Sequence, residues 1–422
     1  METNKKVNSK KRSVFSVDLA AYKLPLFRDI AYNSKNWINF GKDNLFPVYL
    51  VDLFNQSAVH NAIVTGKVKY ITGRGLALKS EANSATISFV DKPNPYENLD
   101  SIFRKMTLDN EIHGGFVLKV VRSRFTKKVV EVYHEDWTKF RRDKNNKERI
   151  LHSEEWESKS SSVSARKANH NPKIKSYPLY NPKKNDKVSY IYYSEYRPDM
   201  HYYPYPEYVG AIPQIETTIE IASFDLNSVK NGFSGGTIIN LMNGIPDDDQ
   251  AEEVEKDLNE KFTGSANGGR VVVNFSEDRE HASSIEQINS NDLAERYTNL
   301  EDRVKESIFI GHKVVSPMLF GVRTEGQIGG RRELLEMYEL FKETYAIGKQ
   351  STLLGVLNNL LQSAGGSPDL MVSELKPINP RLPLSDEEVS ALISPEAKKK
   401  YLATTYGVET VDNIKVEPDT TV

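Results

Sequence analysis

The stretch Tyr203–Leu241 reads YPYPEYVGAIPQIETTIEIASFDLNSVKNGFSGGTIINL. Its prolines punctuate first, because each disfavours helix at the residue before it. After Pro206 the character changes. Tyr208, Ile212, Ile215, Ile219, Ala222, Leu226 and Val229 step by four and three, which is the apolar seam of one helix. Pro213 falls inside the pattern, so the regular helix starts or kinks there. The seam stops at NGFSGG, and TIINL follows as a short strand.

Beyond this stretch the chain makes a turn at NGIPDDD. An acidic helix, DQAEEVEKDLNEKFTG, follows, with its Asp run where the helix dipole favours negative charge. GRVVVNF is then a strand. A second helical seam begins after Asn291, through Leu293, Tyr297, Leu300, Val304 and Ile308, with charges packed densely beside it. Ser316–Leu335 reads SPMLFGVRTEGQIGGRRELL, a glycine-rich loop. A third helix continues through Leu334, Tyr338, Phe341 and Tyr345, with Gly348 and Gly355 as candidate bends.

Upstream, AVHNAIVTGKVKYITGRGLAL predicts a helix with Val59, Ile63 and Val68 on one face, passing through Gly73 and Gly75 into a strand. ENLDSIFRKM predicts a helix with Ile102, Phe103 and Met106 on its apolar face, broken by Gly114 and Gly115. FVLKVV and KKVVEVYH should pair as a hairpin. Arg141–Lys187 is polar and basic, and reads as a long excursion from a sheet rather than as core. KVSYIYY returns as a strand. Near the C-terminus a Pro-rich linker leads to a small helical unit, with Ser385 as N-cap.

The chain has 422 residues, 56 basic and 58 acidic, for a formal net charge of −2. A tight, salt-sensitive nucleic-acid binder would be more basic, so any contact with DNA is local or loose. There is no Cys, which excludes disulfides, thiolate chemistry and Cys-based zinc sites. The 21 Tyr suit surfaces that are half apolar and half wet. No apolar run approaches the length of a membrane span. The N-terminus, METNKKVNSKKRSVF, is basic without an apolar core and reads as a solvated arm rather than a secretion signal.

Known chemical signatures fail one by one. The loop at Ser316–Leu335 has no Lys-Ser or Lys-Thr after its glycines, and a charged amphipathic helix precedes it instead of a buried strand. TGRGL at Thr72–Leu76 is a helix-to-strand turn. The eight His are scattered, without H-E-x-x-H, and no G-x-S-x-G occurs. YHEDW at Tyr133–Trp137 has the composition of a metal or acid–base cluster, but solvated polar residues are routine at a strand end. The run Asp247–Asp249 fits a helix start or a docking surface for a basic partner. No catalytic, cofactor-binding or metal site is expected.

The order helix, strand–helix–strand module, returning helix, glycine-rich loop and long helix resembles the portal proteins of tailed bacteriophages, in their shorter-chain branch. The likeness is carried by Tyr203–Leu241 together with EKFTGSANGGRVVVNF, RVKESIFIGHKVVSPMLFGV and GQIGGRRELLEMYELF. It runs from about Val59 to Leu361. The resemblance implies an α+β portal-like subunit, with an α/β wing, two-helix stem, small α/β clip, long tunnel helix and small helical crown. Carried over, residues 1–25 are a basic arm, 26–205 the wing with its insertion 141–187, and 206–233 the first stem helix. Residues 234–290 are the clip, 291–315 the second stem helix, 316–330 the tunnel loop, 331–366 the tunnel helix and 367–422 a short crown. The long basic insertion and the short crown depart from the family pattern.

The resemblance also implies function: a homo-oligomeric ring, usually a dodecamer, at one capsid vertex of the virion. It would be the channel for DNA packaging and ejection, assembled in the host cytoplasm and not an enzyme. Arg323, Thr324, Glu325 and Gln327 would line the channel and touch double-stranded DNA non-specifically. Asp247, Asp248, Asp249, Glu252, Glu253 and Asp257 would dock the large terminase and the head–tail adaptor. Ile212, Ile215, Ile219, Leu226, Leu293, Tyr297, Leu300 and Val304 would pack the stem. Major capsid and scaffold proteins are the other implied partners, with no cofactor and no membrane. Competing readings are another head–tail connector or minor capsid protein, and a metal-dependent nuclease.

Overall fold

A computed structural model describes residues 35–41, 44–79, 82–156, 173–230, 234–241, 269–275, 290–322 and 331–377. The fold is α+β. The N-terminal arm, the acidic helix after Asp247 and the C-terminal unit at Ser385 lie outside these residues.

Helices α1 (Phe46–Gln56) and α2 (Ala58–Thr72) meet at Ser57, whose hydroxyl accepts from the His60 amide and caps α2. The buried face of α2 runs through His60, Ile63, Val64, Lys67 and Ile71, so Val68 lies beside that face and not on it. As the sequence implies, α2 turns at Gly73 into β1 (Leu76–Leu78), which pairs antiparallel with β10 (Leu370–Val372) from the far end of the described chain. Helix α3 (Ser84–Asp91) precedes α4 (Leu99–His113), which buries Ile102, Phe103 and Met106.

Strands β2 (Gly115–Arg122) and β3 (Val129–Glu135) form the expected hairpin, and β7 (Val188–Ser194) pairs with the other edge of β2. Strand β2 is central, so both of its faces are covered. Phe116, Leu118 and Val120 enter one core with α4, and Val117 enters a second core with α1 and α2.

The reading of Arg141–Lys187 as an excursion is corrected for its described parts. A second antiparallel sheet is built from β4 (Phe140–Arg142), β5 (Arg149–His152) and β6 (Lys175–Pro178), and it buries Ile150 and Leu151. Arg141 itself is fully buried. Its guanidinium donates to Asn44 Oδ1, to the Asn44, Thr138 and Phe140 carbonyls, and stacks over Trp156 at 5.1 Å. Burial lowers its pKa to about 10. Backbone oxygens offset the desolvation of this cation, which is why a polar, basic sequence could still be core.

Helix α5 (Ile212–Lys230) starts where Pro213 indicated, after a 3-10 turn at Val209–Ala211. Strands β8 (Ser234–Leu241) and β9 (Gly269–Phe275) pair in parallel, and α6 (Ser290–Gly311) returns alongside α5. After a 3-10 turn at Pro317–Phe320 come α7 (Arg331–Phe341), a π-helical turn at Lys342–Ala346, and α8 (Ile347–Ala364). The irregularity therefore falls at Lys342–Ala346, and not at Gly348 or Gly355, which lie inside α8. Among the described residues no helix is long and apolar enough to cross a membrane.

Candidate functional site

The region of interest is the root of the α5–α6 pair and the ground beneath the glycine-rich stretch. Ile212, Ile215 and Val304 are buried in the core that includes α1 and α2, as the seams require. Ile219 and Leu300 are partly buried against it. Further out the α5 seam opens: Ala222 is exposed and Leu226 is 54% exposed. The side chains of Leu293 and Tyr297 lie outside the described set, although the α6 backbone carries both. Polar contacts fix the root: Tyr49 Oη donates to Glu216 at 2.7 Å, and the Ser57 and Thr218 hydroxyls meet at 2.8 Å.

The proposed channel residues Arg323, Thr324, Glu325 and Gln327 lie outside the described residues, as do the docking acids Asp247, Asp248, Asp249, Glu252, Glu253 and Asp257. The flanks of 323–330 are described, and one residue joins them. Tyr70 Oη donates to the Leu319 carbonyl at 2.8 Å. Its ring packs on Phe320 before the stretch and on Tyr338 and Phe341 after it, at 6.0, 5.6 and 5.7 Å. Phe320 and Phe341 complete the cluster edge-to-face at 5.9 Å. The Phe320 ring lies so close over Gly66 of α2 that a Cβ there would overlap it.

Below this clamp lies a buried charge network that links α2, α4 and α8. Glu111 Oε2 accepts from Tyr345 Oη at 2.7 Å and faces Lys67 Nζ at 3.6 Å. The Lys67 ammonium also sits 4.0 Å from the centre of the Tyr345 ring. Lys349 on α8 bridges Glu195 and Glu207, the latter at 3.3 Å, and Glu207 reaches Lys313 after α6 at 3.4 Å. Burial pulls Lys67 below its ordinary value, with Glu111 and Glu207 opposing. Burial also opposes the charge on Lys349, yet three carboxylates outweigh it and raise the pKa to about 12. The Tyr345 end of this network belongs to the π-helical turn, which tucks both Tyr345 and Ala346 into the core.

A histidine pair packs beside the network. His60 and His312 stack around Tyr208, whose hydroxyl donates to the Ile112 carbonyl at 2.8 Å. Burial drives His60 down to about 3 and His312 well below its ordinary value, so both rings are neutral.

This site has the chemistry of a joint. YHEDW is used internally: His134 Nε2 lies 2.9 Å from Asp109, Asp136 caps the turn at Trp137–Lys139, and Trp137 is core. Among the described residues no group of three or more His, Asp or Glu side chains is placed to hold a metal ion. Sequence reading missed the Lys67–Glu111–Lys349 network and the histidine pair. The one local signal was His60 and Lys67 at helical spacing on an otherwise apolar face.

No family profile matches the sequence, and no curated protein matches it. Solved structures do align. A chain from "Virion of native gene transfer agent (GTA) particle" is 14% identical with a TM-score of 0.49, covering 88% of this chain and 96% of that one. A chain from "Neck of empty GTA particle computed with C6 symmetry" is 12% identical with a TM-score of 0.49, covering 88% and 97%. A third, from "Neck of native GTA particle computed with C12 symmetry", is 12% identical with a TM-score of 0.46, covering 84% and 93%.

Proposed function

We propose that this chain is the subunit of a portal-type ring at one vertex of a phage-like capsid. The ring conducts double-stranded DNA during packaging and ejection, and docks a large terminase and a head–tail adaptor. Major capsid and scaffold proteins surround it in the virion, and assembly takes place in the host cytoplasm. It has no catalytic step of its own.

One observation carries the reading. Helices α5 and α6 are rooted in the core, α5 loses its apolar cover from Ala222 outward, and the pair brackets a module whose strands β8 and β9 run parallel. A two-stranded sheet is marginal alone, and parallel strands are normally covered on both faces. Among the described residues neither strand has a third neighbour. Neighbouring copies in a ring would supply both the missing cover of the helices and the missing edges of the sheet. The clamp at Tyr70 supports the same reading, because it fixes both ends of a glycine-rich stretch whose middle would have to yield to moving DNA.

Mass photometry and negative-stain class averages of the purified full-length chain test this. Rings of about twelve subunits with a central hole are expected, closed by repeated unlike contacts. A chain that stays monomeric or dimeric at every concentration and with added scaffold protein would overturn the proposal. Magnesium-dependent cleavage of DNA by the pure protein would replace it with the nuclease reading.

A further inference from the structure

The hairpin between β2 and β3 ends in Arg124, Phe125, Thr126, Lys127 and Lys128, all exposed. Phe125 is 94% exposed, an unusual place for a large apolar ring. The tip is rigid. Ser123 Oγ accepts from the Phe125 and Thr126 amides, both at 3.3 Å, and the Ser123 amide donates to the Lys128 carbonyl at 3.0 Å. Lys127 holds a left-handed conformation with φ 62°. The turn before β7 lies alongside, since Arg122 N donates to the Lys187 carbonyl at 2.9 Å, and it adds exposed Lys183 and Lys187. The result is a convex cationic knob with an aromatic apex.

The same chain carries a patch of the opposite kind. On the outer face of α7 and the π turn, Glu336, Glu339 and Glu343 are exposed around Leu340, which is 47% exposed, and Ile347, which is 39% exposed. Lys342 reaches both Glu374 at 2.9 Å and Glu339 at 3.4 Å, and its one ammonium against Glu336, Glu339 and Glu343 leaves the strip net acidic.

A single copy cannot join the two. A Cβ on Gly365 would lie 2.7 Å from Lys128 Nζ, so the knob sits at the C-terminal end of α8. The acidic strip flanks its N-terminal end. Eighteen residues of α8 separate them, about 27 Å at ~1.5 Å per residue.

We infer that the Ser123–Lys128 knob of one copy seats on the Glu339–Ile347 strip of the next, with Phe125 against Leu340 and Ile347 and the cations against Glu339 and Glu343. This rests on the ring reading above and names the subunit contact within it. Complementary charge sets the register of such a contact, and the apolar apex supplies the desolvated centre. Unlike patches at the two ends of α8 pair head to tail, which is the contact type that closes rings. A duplex is the weaker fit, because a phosphate backbone has no socket for Phe125 and the strip would repel it.

The test is the assembly of full-length protein, followed by mass photometry over a concentration series. Five proteins are compared: wild type, Phe125→Ala, Arg124→Glu with Lys127→Glu, Glu339→Lys with Glu343→Lys, and the two charge reversals together. Each of the first three variants should raise the half-assembly concentration at least about tenfold. Circular dichroism should show unchanged folding, because every altered side chain is on the surface. Combining the two charge reversals should restore assembly toward wild type. A wild type that assembles while its variants assemble equally well, or a combined variant no better than its parents, would overturn this contact and leave the ring reading standing. A wild type that never assembles removes both. Unchanged assembly together with lost binding of a short DNA duplex by Arg124→Glu/Lys127→Glu would make the knob a nucleic-acid contact instead.

Discussion

Nδ1 of His60 lies 2.8 Å from Nε2 of His312, a hydrogen bond between residues 252 apart in sequence. One ring donates and the other accepts, so the bond needs at least one neutral imidazole and is lost when both are protonated. Helix α2 and the segment after α6 are joined by it.

Acid should loosen that joint first. Both folded-state pKa values lie below 6.5, so the unfolded chain binds more protons at pH 5 to 6 than the folded one. The stabilisation is therefore complete above pH 6.5 and declines as pH falls. For His60, with a folded value of about 3, the loss is roughly 2 kcal/mol by pH 5. Urea midpoints between pH 7.5 and 5 should drop for the wild type and stay flatter for a His60→Gln/His312→Gln variant. Parallel slopes would refute the assignment.

Removing one charge from the buried network should cost far more than removing two. Lys67 and Glu111 have side chains only 1% and 3% exposed. Glu111→Gln leaves the ammonium without its nearest carboxylate, at an expected cost of about 3–5 kcal/mol. Lys67→Met on top of it should recover part of the loss. Chemical denaturation of the wild type and the two variants decides the matter, and a Glu111→Gln change within about 1 kcal/mol of wild type counts against it.

Gly66→Ala pits local propensity against packing. Alanine favours a helix interior by about 1 kcal/mol over glycine. Here the added methyl would meet the Phe320 ring, and overpacking costs about 1–3 kcal/mol. Net destabilisation is expected, with faster amide exchange at 317–322, and Phe320→Leu should relieve both. A stabilised Gly66→Ala protein would show that the ring is not pinned.

Deleting Val322–Ile328 removes Arg323, Thr324, Glu325 and Gln327 and spares the Tyr70 clamp. Ring assembly should persist, while the amount of DNA retained in particles falls. Full particles at wild-type yield would end the channel-lining assignment.

How far the sequence could reach depended on whether partners were near in the chain. The hairpin FVLKVV/KKVVEVYH and the start of α5 at Pro213 were legible, because periodicity and proline act locally. The β4–β5–β6 sheet was not, since Arg141 is held by carbonyls that no pattern reveals. The charge network was equally hidden. Lys67, Glu111, Glu195, Glu207 and Lys349 come from five separate segments, and each alone looks like an ordinary surface charge. The acidic strip escaped for another reason: Leu340 and Ile347 lie off the seam of Leu334, Tyr338, Phe341 and Tyr345, and only the packing shows how exposed they are.

The π turn at Lys342–Ala346 holds one residue more than an α turn would need for the same path. That surplus sets the phase of everything on either side. Winding the same residues as an ordinary α-helix, with none removed, would swing α7 by about 100° against α8. Tyr338 and Phe341 would then rotate away from Tyr70, while Leu340 and Glu339 turned off the outer surface. Core closure and the outward strip are thus tuned to one winding number, and a helix regularised here without losing a residue could satisfy neither.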